Sequence, residues 1–314
     1  MPAIDRPTCP TMYFLGVTTG RSSINRIFPP WAAALGLGEA RLCGLDFAVR
    51  DDPARFRAAV EFIKAEPLAR GALITTHKMD VFAACRDLID EIDPLAESMA
   101  EVSSLYKRGG KLCGRTSDPQ AGGAALNAFL PAGHWSQTGA QACLLGAGGS
   151  SLALSWHLLA DAPPGDRPAR LIVTDRSPDR LAHLRAFHQK AGAAARVEYR
   201  HIAGAADNDA AVAALPPGSL VVNATGLGKD APGSPLTDAA AFPDGGYIWE
   251  FNYRGDLVFL DQANAQRAAR RLTVEDGWRY FVIGWTSVIA DVFGIDPPTG
   301  DRFAEISRLA ADAR

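Results

Sequence analysis

The chain has 314 residues, of which 47% are hydrophobic and 21% are charged, and its formal net charge is −3 at pH 7. This length suits two domains of ordinary size, and the net charge gives no electrostatic case for a nucleic-acid partner. No apolar run reaches the roughly 18 residues that a membrane helix needs, and the N-terminus lacks a basic-then-apolar signal layout. We therefore expect a cytoplasmic protein with no membrane partner.

The chain has five cysteines and six histidines. The cysteines are odd in number and lack C-x-x-C spacing, so we expect mostly buried free thiols in a reducing compartment. The histidines show no ligand spacing with cysteines or carboxylates, which predicts that there is no metal site.

Strands and helices are predicted to alternate along the first half of the chain. The predicted strands are residues 12–16, 41–47 and 72–75, and the predicted helices are residues 24–35, 52–63, 79–89 and 121–129. Pro29-Pro30 should break or start the helix in which it lies, because proline has no N–H to donate. Residues 102–106 and 111–115 should pair as a hairpin across Gly109-Gly110. This pattern predicts α/β units with a parallel sheet.

A glycine-rich turn follows the apolar run that ends at Leu145. The turn reads Gly146-Ala147-Gly148-Gly149-Ser150-Ser151, and a mostly apolar segment follows it. A strand, a glycine turn and a helix in this order are typical of dinucleotide binding. Gly146 permits the tight turn, and Gly148 lets a pyrophosphate approach the backbone at the helix N-terminus. We predict cofactor contacts at Gly146, Ala147, Gly148, Gly149 and Ser150; the alternative is a structural turn with no ligand.

An acidic residue ends the next predicted strand, residues 171–174, as Asp175. The fingerprint places a carboxylate there to hold the ribose 2′-OH, which favours NAD over NADP. Arg176 would favour NADP if it contacts a 2′-phosphate. It is equally compatible with a solvated loop cation. We expect NAD or NADP, with NAD slightly favoured.

The second half continues the alternation of strands and helices. Predicted strands cover residues 220–223, 247–251 and 272–274, and predicted helices cover residues 260–268, 278–293 and 302–311. The strand ends carry Asn223-Ala224-Thr225, Glu250 to Arg254, and Glu275-Asp276-Gly277. Small and polar residues at the carboxyl ends of strands fit a ligand crevice at the edge of an open sheet. We therefore also predict cofactor contacts at Asn223, Ala224 and Thr225.

These segments, in this order, resemble the shikimate dehydrogenase family along nearly the whole chain. The turn after Leu145 looks like the family's GAGG loop, and Asn223-Ala224-Thr225 looks like its N-A-T strand end. Thr76-His77-Lys78 is similar to P-H-K, and Thr116-Ser117-Asp118 lies where the family has N-T-D. Tyr253 falls on the tyrosine of D-x-x-Y, where Glu250 replaces the aspartate, and Asp276-Gly277 matches a D-G pair.

The resemblance implies two domains. Residues 1–120, completed by the C-terminal helices of residues 278–314, would form the α/β substrate domain, and residues 121–277 would form a Rossmann NAD(P)-binding domain. The implied activity is an NAD(P)-dependent hydride transfer to or from a cyclic or small hydroxy acid. A homodimer is compatible with this organisation.

The resemblance also implies a catalytic pair, Lys78 and Asp118, on loops of the same domain. A lysine can serve as the proton-transfer group for an alcohol, and a carboxylate can orient both lysine and substrate. Taken alone, Lys78 is equally compatible with a surface lysine that opens a helix, and Asp118 with a helix cap. Gly277 is expected to let the nicotinamide amide approach the backbone, or to be an ordinary turn glycine. Tyr253 is expected either beside the substrate and nicotinamide or in an aromatic core.

The substrate positions depart from the family pattern. Arg21, Ser22 and Ser23 are candidates for holding a substrate carboxylate, although either serine could instead cap a helix. Family hydroxyl-binding positions become Ile24, Ile74, Ser103 and Gly284. A site that loses such donors selects a different substrate, so we predict poor turnover of shikimate itself. Two alternatives stay open: a non-catalytic NAD(P) sensor, and a methylene-tetrahydrofolate dehydrogenase-like enzyme.

Overall fold

A computed structural model of the protein describes residues 4–229 and 231–313. The chain forms two compact units, of which the first contains Met1–Ser117 and Val282–Arg314 and the second contains Asp118–Phe281. The unit boundaries differ slightly from the predicted domain boundaries. Asp118, predicted within the first domain, opens a helix that packs in the second unit.

The strands lie close to the predicted segments. They are β1 Thr11–Gly16, β2 Arg41–Asp46, β3 Ala69–Ile74, β4 Glu91–Ile92, β5 Ser104–Arg108, β6 Lys111–Arg115, β7 Ala142–Leu145, β8 Leu171–Asp175, β9 Val197–His201, β10 Leu220–Asn223, β11 Tyr247–Glu250 and β12 Thr273–Glu275. The α-helices are α1 Ile24–Ala34, α2 Pro53–Ala65, α3 Lys78–Cys85, α4 Pro94–Met99, α5 Asp118–Asn127, α6 His134–Thr138, α7 Gly149–Trp156, α8 Pro178–Lys190, α9 Ala205–Ala213, α10 Val258–Arg270, α11 Trp278–Phe293 and α12 Gly300–Asp312.

The first unit contains a mixed sheet with the strand order β2-β1-β3-β5-β6-β4. β1 pairs in parallel with β2 and β3, whereas β5 is antiparallel to both β3 and β6. The predicted parallel pairing is present among β1, β2 and β3, and the sheet as a whole is mixed. The predicted hairpin is confirmed, because the Gly109-Gly110 turn reverses the chain and β5 and β6 run in opposite directions.

The two prolines in α1 do not interrupt the helix. The prediction that they would break or start it was wrong. Pro29 and Pro30 both lie inside α1, and Ile24, Ile27, Phe28 and Trp31 are buried along it. The Trp31 indole N–H donates to the Ile306 carbonyl of α12 at 2.8 Å. Tertiary burial of one helix face thus outweighs the lost backbone hydrogen bonds.

The second unit contains a parallel sheet with the strand order β12-β11-β10-β7-β8-β9. This is the doubly wound order with its switch point between β7 and β10, where open α/β sheets bind ligands. The predicted α/β fold class, with a Rossmann unit in the second half, is confirmed. The sequence patterns did not predict β4 or β9, because β4 has two residues and β9 is half-buried along its length.

None of the described helices is long and apolar enough to cross a bilayer. Among the described residues, no group of three or more histidine, cysteine, aspartate or glutamate side chains could hold a metal ion.

Candidate functional site

A cavity of about 450 Å³ opens in the second unit at the carboxyl ends of β7, β8 and β10. This is the switch point at which the strand order reverses. The cavity is lined by Gly146, Gly148, Thr174, Asp175, Arg176, Arg180, Ile202, Ala203, Gly204, Ala205, Asn208, Ala224, Thr225, Gly226, Leu227, Ala231, Ser234 and Pro235.

Gly146 and Gly148 differ in whether the structure leaves space for a side chain. Gly146 has φ +104°, and a Cβ built there would lie 3.0 Å from the Ala224 carbonyl oxygen. A Cβ built at Gly148 would meet nothing within 4 Å. Gly146 is thus needed for the turn itself, whereas Gly148 lines open space. Gly149 and Ser150 begin α7, whose free N–H groups suit an anion.

Side chains fix the glycine turn in place. The Ala147 N–H donates to one carboxylate oxygen of Asp175 at 2.7 Å, and the Ser177 N–H donates to the other at 2.7 Å. The Ser151 hydroxyl donates to the Gly146 carbonyl. The Ala147 N–H is therefore committed to Asp175. Two carboxylate oxygens have about four acceptor sites, so Asp175 keeps capacity for further donors.

Two arginines stand beside Asp175. Arg176 and Arg180 are exposed, and both line the cavity. The sequence analysis named Arg176 but missed Arg180, which lies in the first turn of α8. The available signal was the Ser177-Pro178 start of that helix, which places its first turn next to the end of β8. The cavity rim thus carries both a carboxylate and guanidinium groups.

Asn223 holds a turn and does not itself line the cavity. Its Oδ1 accepts hydrogen bonds from the Thr225 N–H at 3.0 Å and from the Thr225 hydroxyl at 2.6 Å. Its Nδ2 donates to Glu250 Oε2 at 2.7 Å. Asn223 is buried, whereas the predicted contacts Ala224 and Thr225 lie on the cavity wall.

Glu250 is a buried carboxylate at the end of β11, in register with Asn223 on β10. Its Oε1 accepts from the Asn252 N–H at 2.8 Å and from Asn252 Nδ2 at 2.7 Å. Burial raises the pKa of Glu250 to about 7, while these hydrogen bonds and the Lys229 charge oppose that rise. The sequence pattern marks Glu250 as a motif residue and indicates no role for it.

Close approach of the backbone after β11 requires a glycine at position 277. A Cβ built there would lie 2.0 Å from the Phe251 carbonyl oxygen, and the Gly277 N–H donates to the Asn252 carbonyl at 3.2 Å. Tyr253 is half-buried, with its ring 4.4 Å from that of Phe281 and 6.0 Å from that of Trp278. Both residues therefore have packing roles around the loop after β11.

The two candidate catalytic residues each begin a helix. Lys78 is the half-buried first residue of α3, next to His77, whose buried ring packs 5.3 Å from that of Phe56. The Val102 N–H donates to the Lys78 carbonyl at 3.3 Å. Asp118 is the half-buried first residue of α5 and accepts from the Tyr280 hydroxyl at 3.1 Å. Lys78 belongs to the first unit and Asp118 to the second.

The candidate carboxylate-binding residues lie before α1. Arg21 ends a short 3₁₀ turn and is exposed, and Ser22 and Ser23 follow it half-buried. Ser23 is the residue that precedes α1, yet its side chain makes no capping hydrogen bond. The Ser23 hydroxyl therefore does not cap α1.

Ser103 lies in a buried polar cluster of the first unit. Its hydroxyl accepts from the Ser117 N–H at 2.9 Å and lies 3.1 Å from the Ser117 hydroxyl. Beside this pair, the Thr116 hydroxyl donates to buried Glu101 at 2.9 Å. Glu101 was not predicted, because nothing in the local sequence pattern marks it as a buried carboxylate.

Known proteins resemble this chain in sequence and in fold. No protein-family model matches the chain. It is 30% identical over 205 residues to a shikimate dehydrogenase (NADP(+)) of Symbiobacterium thermophilum, covering 64% of each chain. It is 30% identical over 220 residues to that of Brucella abortus, covering 68% of each.

A solved structure shares the fold over almost the full chain. A quinate dehydrogenase from Corynebacterium glutamicum in complex with NAD superposes with a TM-score of 0.73 at 19% identity. The superposition covers 97% of this chain and 99% of that one.

Proposed function

Because this chain belongs to the shikimate dehydrogenase family, we propose that it is an NAD(P)-dependent oxidoreductase that acts on the CH–OH group of a cyclic or small hydroxy acid. The observation that carries the proposal is the cavity at the switch point of the second sheet, where the glycine turn and Asp175 meet. Relatives of similar sequence are named for this chemistry, and the matched region spans about two thirds of their length.

The cavity fits a nicotinamide dinucleotide. Gly148 leaves open space at the start of α7, where a pyrophosphate would meet the helix N-terminus. Asp175 keeps acceptor capacity for ribose hydroxyls, which supports NAD. Arg176 and Arg180 supply positive charge for a 2′-phosphate, which supports NADP. We infer that both cofactors bind, with NAD slightly favoured.

Lys78 and Asp118 are the proposed proton-transfer pair. The bound dinucleotide supplies the hydride acceptor or donor. Lys78 takes the hydroxyl proton during oxidation and returns it during reduction, and Asp118 is the carboxylate proposed to assist that transfer. The half-burial of both residues supports these roles.

The substrate is proposed to differ from shikimate. Ile24 and Ile74 are buried apolar side chains that offer no hydrogen bond, and the Ser103 hydroxyl is already paired with Ser117. A Cβ built at Gly284 in α11 meets nothing within 4 Å. Arg21, Ser22 and Ser23 remain the candidates for holding a substrate carboxylate, and Tyr253 for lining the site.

The test is a dehydrogenase screen of cyclic hydroxy acids, including shikimate and quinate, with NAD⁺ and NADP⁺ in turn. We expect turnover of at least one acid, with a kcat/KM that exceeds the value for shikimate. Efficient shikimate oxidation with micromolar KM would overturn the substrate proposal. Absence of turnover for every acid, in a protein that binds the cofactor, would favour a sensor.

A homodimer is a separate proposal, supported by the edge position of β2. This strand has β1 as its sheet neighbour and carries half-buried Leu42, Cys43 and Leu45. An exposed edge strand can pair with a second copy. Light scattering should then give twice the chain mass of 33.3 kDa, and a monomer mass would contradict it.

A further inference from the structure

The cofactor cavity is bounded by one short turn, residues 224–227, whose shape depends on hydrogen bonds beneath it. Ala224, Thr225, Gly226 and Leu227 all line the cavity. Residues 224–227 also leave little space beside the glycine turn, since a Cβ at Gly146 would lie 3.0 Å from the Ala224 carbonyl oxygen. A shift of this turn would therefore change the cavity and the glycine turn together.

Two asparagine amides hold the turn. Asn223 Oδ1 accepts from Thr225, and its Nδ2 donates to the Leu227 carbonyl at 3.3 Å. Asn252 Nδ2 donates to the Leu227 carbonyl at 3.0 Å and to the Thr225 carbonyl at 3.2 Å. These contacts form only when each amide points its NH₂ group toward the carbonyl oxygens of the turn.

Glu250 fixes both amides in that orientation. One of its oxygens accepts from Asn223 Nδ2, and the other accepts from Asn252 Nδ2 and from the Asn252 backbone N–H. An ionised carboxylate is acceptor-only, so it faces three donors without conflict. A proton on either oxygen would place a donor against a donor. Flipping Asn223 to relieve that conflict would turn its NH₂ group toward the Thr225 N–H.

We propose that Glu250 is a positioning residue for the cofactor site, and that its ionised carboxylate holds the turn of residues 224–227 in the shape that binds the dinucleotide. This inference rests on the proposed function, because it concerns the same cavity. Glu250 does not line the cavity, so it acts through Asn223 and Asn252.

The charged groups around Glu250 lead us to expect that its protonation makes cofactor affinity depend on pH. Lys229 is the cation that stabilises its ionised form, and burial opposes ionisation so that its pKa is about 7. Strand β12, which pairs with β11, ends at Glu275, and Asp276 follows it. Cofactor affinity should thus fall as the pH falls through about 7.

The experiment measures the Kd of NAD⁺ by calorimetry between about pH 6 and pH 8 for the wild type, Glu250→Gln and Glu275→Gln. NAD⁺ is chosen because a phosphate monoester, such as the one in NADP⁺, itself titrates near about pH 6. Glu275→Gln is the matched control, since Glu275 is a half-buried carboxylate on the neighbouring strand that does not line the cavity.

We expect the Kd of the wild type and of Glu275→Gln to rise about tenfold from pH 8 to pH 6, as linkage to one proton near pH 7 requires. Glu250→Gln should bind about tenfold more weakly at pH 8, because its NH₂ group faces Asn223, and its Kd should not change with pH. If Glu250→Gln does not fold, Glu250→Asp should bind weakly and still respond to pH.

Equal pH responses in the wild type and Glu250→Gln would overturn the proposal, even if the variant were less stable. A wild-type Kd that does not change with pH would also overturn it. A wild type that binds neither NAD⁺ nor NADP⁺ at any pH would instead contradict the proposed function.

Discussion

The two units differ in how their candidate residues are arranged. In the second unit, Gly146, Gly148, Asp175, Ala224 and Thr225 line one cavity at one sheet edge. In the first unit, the candidates lie on separate elements: Arg21, Ser22 and Ser23 before α1, Lys78 at the start of α3, and Ser103 in a buried polar pair. The glycine turn proposed to bind the cofactor is a local motif, whereas the residues proposed to bind the substrate come from segments far apart in sequence.

This difference has a physical cause. A dinucleotide is held largely by backbone groups at strand ends, so a short glycine motif is enough to place it. A substrate is held by side chains whose partners are set by tertiary packing. Ser103, for example, is occupied by Ser117, which no local pattern indicates.

The largest expected effect separates catalysis in the first unit from cofactor binding in the second. Lys78→Ala should lower kcat by a general acid–base factor, on the order of 10²–10⁴. The Kd of the cofactor should stay nearly unchanged, because the cavity lies wholly in the second unit. Steady-state kinetics and calorimetry measure the two quantities.

Lys111→Ala is the matched control for that variant, since Lys111 pairs with Glu91 on the surface of the same unit. Asp118→Asn should also lower activity, and the double variant should lose less than the two losses combined, because both residues are proposed to serve the same proton transfer. A folded Lys78→Ala protein with near wild-type kcat would remove Lys78 from catalysis.

The next effect tests the buried carboxylate of the second unit through stability. The pKa of Glu250 is raised from 4.5 to about 7, so the folded state binds the proton more tightly than the unfolded state. The free energy of unfolding should therefore fall as pH rises from about 4.5 to about 7, by on the order of 3 kcal/mol, and then level off.

Denaturant unfolding of the wild type and Glu250→Gln across this range measures the difference in slope. The variant has no proton to release at this position, so it should lack this part of the pH dependence. Parallel pH profiles for the two proteins would mean that Glu250 has an ordinary pKa in the folded state.

A pair of glycines sharpens the comparison between the units. Gly277→Ala would place a Cβ 2.0 Å from the Phe251 carbonyl oxygen, so the free energy of unfolding should fall by about 2–3 kcal/mol. Gly284→Ala, within α11, meets nothing within 4 Å and should raise it by about 0.5–1 kcal/mol, since alanine favours the helix. Thermal unfolding distinguishes them, and equal effects would contradict the contacts described at Gly277.

The smallest predicted effect concerns cofactor preference. Asp175→Asn removes the negative charge beside Arg176 and Arg180 and replaces one acceptor oxygen with an NH₂ group, so one of the hydrogen bonds from Ala147 and Ser177 is lost and both cofactors should bind more weakly. The ratio of NADP⁺ to NAD⁺ affinity should rise about tenfold, which is about 1.4 kcal/mol. Arg180→Ala is the opposing variant and should lower that ratio. An unchanged ratio in Asp175→Asn would exclude a contact between Asp175 and the ribose.

The sequence predicted the parts of the fold that local patterns determine. The strands of the second sheet and the glycine turn follow from apolar runs that end in small residues. It failed where tertiary packing decides the outcome. Pro29 and Pro30 stay helical because one face of α1 is buried.

The candidate site divides in the same way. Gly146 was predicted in the glycine turn and Asp175 at the end of its strand, and both line the cavity. Asn223 and Gly277 were predicted as cofactor contacts and are engaged with the protein itself. Their roles depend on Glu250 and Phe251 of a neighbouring strand and loop, and such pairings cannot be obtained from spacing along the chain.

The most direct test of the account is calorimetric titration of NAD⁺ and NADP⁺ into the wild type and Gly148→Val. Gly148 lies in open space at the start of α7, so the variant should fold normally and place its side chain where the pyrophosphate binds. The account predicts that the wild type binds one dinucleotide per chain and that Gly148→Val binds at least about tenfold more weakly. No binding by the wild type, or equal binding by a folded Gly148→Val protein, would contradict it.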